Sequence, residues 1–248
     1  MHKVMLITGA SRGIGAATAR LAAARGYALC INYRQQREAA EQLVDEITRQ
    51  GGRAIAVAAD VADERQVAQL FAAIDSEFGR LDVLVNNAGM LERQARLEEI
   101  DGARLLRVFG ANVFGSFHCA REAIRRMSTR HGGRGGAIIN LSSIAARLGA
   151  PNEYIDYAAA KGAIDAMTVG LAKEVAAEGI RVNAVRPGVI RTEIHASGGE
   201  PKRVERVAAS IPLGRGGEAE EIAKAILWLA SDEASYTTGA LLDVAGGR

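Results

Sequence analysis

The chain has 248 residues, of which 48% are hydrophobic and 24% charged, values that exclude a disordered chain and allow a sizeable core without covalent staples. The formal net charge is +2 and the basic residues are dispersed, so the sequence carries no nucleic-acid footprint. Aromatic residues are only 4%, which leaves Ala, Val, Leu and Ile to build the core. Cys30 and Cys119 fit two reduced thiols of a cytoplasmic protein better than a disulfide. No metal-ligand cluster joins them to His2, His118, His131 or His195. The opening MHKVMLITGA has no charged leader or apolar signal core, and no apolar run approaches membrane length, so the expected location is the cytoplasm.

Strand and helix signals alternate along the chain. Val4 to Thr8 reads as a buried strand, Ile14 to Arg25 as an Ala-rich helix and Ala28 to Asn32 as a second strand. Gln35 to Gln50 carries Ala39, Ala40, Leu43, Val44 and Ile47 at helical spacing and stops at Gly51-Gly52. Ala54 to Ala59 is a third strand. Val67, Leu70, Phe71, Ile74 and Phe78 then mark one face of a helix with Asp63 as its N-cap. Leu81 to Val85 is the fourth strand. A helical stripe through Val113, Phe117, Ala120, Ile124 and Met127 follows, in a segment beginning near Asp101. Ala137 to Leu141, a helix over Asp156 to Ala177, Arg181 to Val185, a helix over Ala219 to Ala230 and Leu241 to Val244 complete the pattern. Strands this apolar, separated by helices, predict an α/β fold: a mainly parallel, doubly wound sheet of about seven strands with helices on both faces. No linker or repeat divides the chain, so residues 1–248 are expected to form one domain. The segment from Pro187 to Gly217 has the weakest signals and is read as a substrate lid.

Thr8 to Gly15 reads TGASRGIG, between the first strand and the first helix. Gly9 permits a sharp turn, and Gly13 and Gly15 remove side chains where backbone must approach a pyrophosphate or pack on the strand. The helix start then offers free N–H groups to phosphate. The spacing is G-x-x-x-G-x-G, unlike the commoner G-x-G-x-x-G dinucleotide fingerprint. At the end of the second strand stands Asn32-Tyr33-Arg34, with no carboxylate to hold ribose hydroxyls or repel a 2′-phosphate. Arg34, with Arg12 of the glycine loop, favours NADP(H) over NAD(H).

Tyr157 to Lys161 reads YAAAK, which places phenol and ammonium on one helix face. A cation beside a phenol favours the phenolate and lowers a pKa that is ordinarily near 10. The pair therefore suits a general acid/base.

TGASRGIG, the NNAG of Asn86 to Gly89, Asn112, the Ser142-Ser143 pair, YAAAK and the RPG of Arg186 to Gly188 occur in one order. On these motifs the chain resembles the short-chain dehydrogenase/reductase family over essentially its whole length. It is nearest to bacterial glucose-dehydrogenase-like and 3-oxoacyl-carrier-protein-reductase-like members. The resemblance implies a Rossmann-like fold and hydride transfer between NAD(P) and an alcohol or carbonyl. It implies Tyr157 as proton donor or acceptor and Lys161 as its pKa-lowering, ribose-binding partner. Ser143 would hold the substrate oxygen, and Asn112 would bind a water that relays protons from Lys161. Ser142 is expected to be structural and Tyr154 to be an aromatic beside the cleft. His195 is not expected to be catalytic. Cofactor contacts are expected from Gly9, Ser11, Arg12, Gly13, Ile14, Gly15, Tyr33, Arg34, Asp60, Val61, Asn87, Ala88, Gly89, Tyr157, Lys161, Pro187, Gly188, Ile190 and Thr192. The resemblance also implies a homotetramer. Two other function classes remain: a catalytically silent NADP(H)-sensing protein on the same fold, and a serine hydrolase using Ser143. The second lacks a G-x-S-x-G elbow, since the sequence around it reads NLSSI.

Overall fold

A computed structural model describes residues 2–248. Its centre is one sheet of seven strands: β1 (Val4–Ile7), β2 (Ala28–Tyr33), β3 (Arg53–Ala58), β4 (Val83–Asn86), β5 (Gly136–Leu141), β6 (Ile180–Pro187) and β7 (Leu241–Val244). All neighbours pair in parallel, in the order β3-β2-β1-β4-β5-β6-β7. The helices are α1 (Gly13–Ala24), α2 (Arg37–Arg49), α3 (Glu64–Phe78), α4 (Gly102–Phe109), α5 (Gly115–Met127), α6 (Ala145–Leu148), α7 (Ile155–Val175), α8 (Ile194–Ser197), α9 (Arg203–Val207) and α10 (Ala219–Ala230).

Alternation along the strands sends side chains to two cores. Met5, Ile7, Leu29 and Ile31 share one with Leu43 and Ile47 of α2 and Ile222 and Ile226 of α10. Leu6, Cys30 and Leu84 share the other with Leu70, Phe71 and Ile74 of α3, Ala123 of α5 and Ile164 of α7. Both cysteines are buried, and burial pushes the Cys119 thiol up to about 12, so neither behaves as a reactive thiol. The strand order turns back between β1 and β4, and in such sheets the crevice beyond the carboxyl ends of the strands at that point is the ligand site.

Local chemistry sets several boundaries. Asp63 caps α3 by accepting from the N–H groups of Arg65 (2.9 Å) and Gln66 (3.3 Å), and Gly79 ends it in a left-handed conformation at φ +68°. The helix expected from Asp101 to Met127 is interrupted: a π-helical turn, Gly110–Phe114, separates α4 from α5 and carries Asn112. The weakly patterned stretch after Pro187 holds two short helices, α8 and α9, rather than bare loop. Periodicity alone cannot announce helices of four and five residues. Among the described residues no helix is long and apolar enough to cross a membrane.

Candidate active site

A cavity of about 1020 Å³ opens over the carboxyl ends of the strands, where the chain order reverses. The glycine loop forms its floor. Gly9 sits at φ +59°, and a Cβ there would lie 2.9 Å from Ala88 Cα. Gly13 is also left-handed, at φ +56°, and a Cβ on it would meet Thr192 of the 187–217 segment at 3.3 Å. Gly15 does not line the cavity; a Cβ there would collide with Asn87 Nδ2 at 2.6 Å and Ala10 Cα at 2.8 Å, so its role is close packing of α1 under the loop. The loop is braced by its neighbours: Asn87 Nδ2 donates to Thr8 O (2.8 Å) and Gly9 O (3.0 Å), and Thr8 Oγ1 accepts from the N–H groups of Asn87 and Ala88.

These features fit a dinucleotide. Side chains at Gly9 and Gly13 would crowd Ala88 and Thr192, and the start of α1, whose first N–H groups have no partner within the helix, lines the cavity beside Ser11 and Arg12. At the far end the wall is Asn32, Arg34, Gln35, Gln36, Asp60 and Val61. Arg34 lies 3.6 Å from Asp60 and is half exposed, so its guanidinium remains available to an anion. Tyr33 is placed elsewhere than expected. It is 8% exposed and packs into the core on the α2 side, because strand alternation turns it inward between Asn32 and Arg34.

At the other end of the cavity stand Ser143, Tyr157 and Lys161. The Tyr157 phenol and the Ser143 hydroxyl line the same part of the cavity, and Ser143 Oγ accepts from the Ala145 N–H at 3.1 Å. Lys161 Nζ lies 5.4 Å from the centre of the Tyr157 ring and donates to Leu141 O at 2.7 Å. Burial pushes the phenol up to about 12, opposed by the neighbouring Ser143 hydroxyl; burial also pulls Lys161 down to about 8, opposed by Asp165. The lowering of Tyr157 by Lys161 expected from spacing is not what the protein alone produces: desolvation raises the phenol and lowers the ammonium.

Ser142 also lines the cavity, but its hydroxyl is committed to Lys161 O at 3.2 Å and its N–H donates to Val185 O. Asn112 is fully buried and does not line the cavity. Its Nδ2 donates to Met90 O (3.0 Å) and Val108 O (2.9 Å), and its Oδ1 accepts from Met90 N–H (3.3 Å). Both amide hydrogens are thus spent on protein carbonyls. The side chain borders Gly89 and Lys161, since a Cβ on Gly89 would lie 2.7 Å from Asn112 Oδ1 and 3.6 Å from Lys161 Nζ.

Pro187, Gly188, Ile190 and Thr192 line the wall between the two ends. Pro187 O accepts from Ile144 N–H and Gly188 N–H donates to Val244 O, which fixes this wall to the Ser143 loop and to β7. His195 also lines the cavity, and its Nε2 bonds Ile190 O at 2.9 Å while burial lowers its pKa. Tyr154, 3% exposed, donates to Gly198 O at 3.4 Å, under the Arg203 guanidinium. Met90, Leu91, Arg93, Glu153 and Arg203 complete the substrate end. None of these was marked by a motif, because they meet from three separate loops. The buried ion pair of Arg104 with Asp156, 52 residues apart, was equally invisible to spacing.

Similarity to known proteins agrees with this geometry. A family model described as enoyl-(acyl carrier protein) reductase matches residues 9–248. The chain is 56% identical over 245 residues to the uncharacterized oxidoreductase YgfF of Escherichia coli strain K12, covering 99% of each chain. It is 39% identical to the 3-oxoacyl-[acyl-carrier-protein] reductase FabG of Staphylococcus aureus, over 100% of this chain and 98% of that protein. Among solved structures it is similar to the 3-ketoacyl-(acyl-carrier-protein) reductase of Brucella melitensis complexed with NADH, with a TM-score of 0.91, 35% identity and coverage of 99% and 98%. The chain belongs to the short-chain dehydrogenase/reductase family and is an NAD(P)-dependent oxidoreductase.

Proposed function

We propose that residues 1–248 act as a single NAD(P)-binding domain that reduces a carbonyl, or oxidises the corresponding alcohol, with NADP(H) as preferred coenzyme. The observation that carries this reading is that Ser143, Tyr157 and Lys161 stand together in the wall of a cavity whose floor is the glycine loop, with Lys161 Nζ 5.4 Å from the centre of the Tyr157 ring. Bound coenzyme supplies or accepts the hydride at the substrate carbon. Ser143 and the Tyr157 phenol together orient the substrate oxygen. Tyr157 gives its proton to that oxygen in reduction and removes it in oxidation. Lys161, held at Leu141 O and beside Gly89, offers its ammonium to the coenzyme ribose and adds positive charge near the phenol. Asn112 fixes the Met90 backbone next to Lys161, and a water linking Lys161 to solvent as a proton relay would donate to an Asn112 oxygen, since both its amide hydrogens are spent.

Coenzyme choice rests on Arg12 and Arg34 in the wall and on Asn32 where a ribose-binding carboxylate would stand. A homo-oligomer, a tetramer in the family pattern, would cover Leu105, Leu106, Phe114 and Phe117, which are exposed along α4, the π turn and α5. A panel of carbonyls and alcohols followed by nicotinamide absorbance with both coenzymes tests the reading. Turnover favouring NADPH or NADP⁺ supports it. Coenzyme binding without turnover on any substrate would favour the silent sensor, and selectivity for NAD(H) would remove the role given to Arg34.

A further inference from the structure

Tyr157 lies in the first turn of α7, where backbone N–H groups have no partner within the helix. Asp156 supplies one: its Oδ1 accepts from the Tyr157 N–H at 3.0 Å. The same carboxylate accepts two bonds from Arg104 of α4, Nε to Oδ2 at 2.7 Å and Nη2 to Oδ1 at 3.2 Å. The two side chains are 9% and 1% exposed. The remaining arm of the guanidinium, Nη1, donates to Arg93 O at 2.7 Å, in the loop after β4 that lines the substrate end of the cavity. Arg104 is itself fixed, because its N–H donates to Asp101, the cap of α4.

One planar fork therefore joins three elements: α4, the first turn of α7 and the loop from Met90 to Arg93. Apolar side chains of the same volume would hold α4 against α7 without desolvating two charges. They would leave Arg93 O and the Tyr157 N–H unpaired, and the helix start free to shift relative to the loop facing it. Shifts near 1 Å at a reacting group are enough to lower turnover severely.

We propose that Arg104 and Asp156 are a positioning pair, fixing the first turn of α7 so that the Tyr157 hydroxyl meets Ser143 and the substrate oxygen across from the Met90–Arg93 loop. The inference rests on the reading of Tyr157 as the acid/base. Arg104 and Asp156 touch neither substrate nor coenzyme and act through the tyrosine.

Single neutralisation orphans a buried charge and can unfold the protein, so the test pairs the changes. The double variant Arg104→Met/Asp156→Asn removes both charges, and the introduced amide keeps an oxygen for the Tyr157 N–H. The variant Arg104→Lys keeps the charge but has no fork to reach Asp156 and Arg93 O together. For both, Tm, NADPH affinity, kcat, KM and the pH–rate profile for alcohol oxidation are measured. The expected result is an NADPH Kd within about twofold of wild type and a kcat lowered by about tenfold or more. The oxidation profile moves to higher pH, because a displaced phenol moves away from the Lys161 ammonium, now 5.4 Å from its ring centre, which favours the phenolate. Arg104→Lys falls between wild type and the double variant. A kcat within about twofold of wild type in either folded variant, with an unmoved profile, overturns the proposal. If Tyr157→Phe also retained turnover, the acid/base reading itself would fail; an inactive Tyr157→Phe beside an active double variant sinks only the positioning role.

Discussion

The two ends of the cavity are held by different physics. The coenzyme end is set by backbone and amides: left-handed glycines at Gly9 and Gly13, Asn87 bonding Thr8 and Gly9, and Asn32 Oδ1 accepting from Gly9 N–H. These groups sit in the loops at the carboxyl ends of the strands, apart from Asn32, which is in β2. The substrate end is tied by charge: Arg203 to Glu153 and Glu200, Arg206 to the same two carboxylates, Arg191 to Glu205 and Glu218, and Arg104 to Asp156. Packing and turn geometry respond little to salt, whereas partly exposed ion pairs are screened by it. One chain thus combines a cradle set by turn geometry with a facing wall tied largely by partly exposed ion pairs.

The comparison breaks first at Gly9. A valine there must hold φ +59° and place its Cβ 2.9 Å from Ala88 Cα, so Gly9→Val should lower NADPH affinity by about a hundredfold or more, or unfold the loop outright. Equilibrium titration checks it; an affinity near wild type would show that the cradle is not built on that turn. Lys161 gives the next effect. Its ammonium, lowered to about 8 by burial, is charged below that pH and neutral above it. NADPH affinity should therefore fall about tenfold from neutral pH to one unit above that value, and Lys161→Met should bind weakly and without this pH dependence. A flat profile in the wild type would detach Lys161 from the coenzyme.

Arg34→Ala should weaken NADPH by about fivefold to tenfold and leave NADH within about twofold, since only the former carries a 2′-phosphate for the half-exposed guanidinium. Equal losses for both coenzymes would contradict the role. The smallest effect belongs to the substrate wall. Glu200→Gln should raise substrate KM by about twofold to fivefold, and added salt should produce the same change in the wild type but little in the variant. The Glu200 carboxyl is held at about 2 by Arg206 and Arg203, below its ordinary 4.5. A folded-state pKa lowered this way stabilises the network above the ordinary value, and that contribution is lost as pH falls from about 4.5 towards about 2. Salt-independent KM in the wild type would remove the contrast between the two ends.

The same contrast explains what the sequence made legible. The strands announced themselves because both faces of the sheet are covered and the runs are apolar, and Gly9, Gly13 and Tyr157-x-x-x-Lys161 are local patterns whose spacing is their geometry. Tyr33 was misplaced because the side-chain period of two decides which residue of Asn32-Tyr33-Arg34 faces the cavity, and the phase of a strand is fixed only by its register with β1 and β3. The pKa of Tyr157 was misjudged in direction because spacing reveals the neighbouring cation but not the burial that raises the phenol. Arg104–Asp156 and Arg203–Glu153 were invisible, since each joins elements about 50 residues apart. Sequence thus showed the local patterns at both ends and concealed the ion pairs between distant elements.

The central claim is that Tyr157 moves the proton. The most direct measurement is Tyr157→Phe, assayed for kcat on the best substrate from the coenzyme panel and for NADPH binding by titration. The substitution removes one hydroxyl and keeps the ring, and the Asp156 bond to the backbone N–H at this position does not involve that hydroxyl. The predicted result is NADPH affinity within about twofold of wild type and kcat lowered by about 10²- to 10⁴-fold. A variant that binds NADPH normally and keeps wild-type kcat would contradict the account.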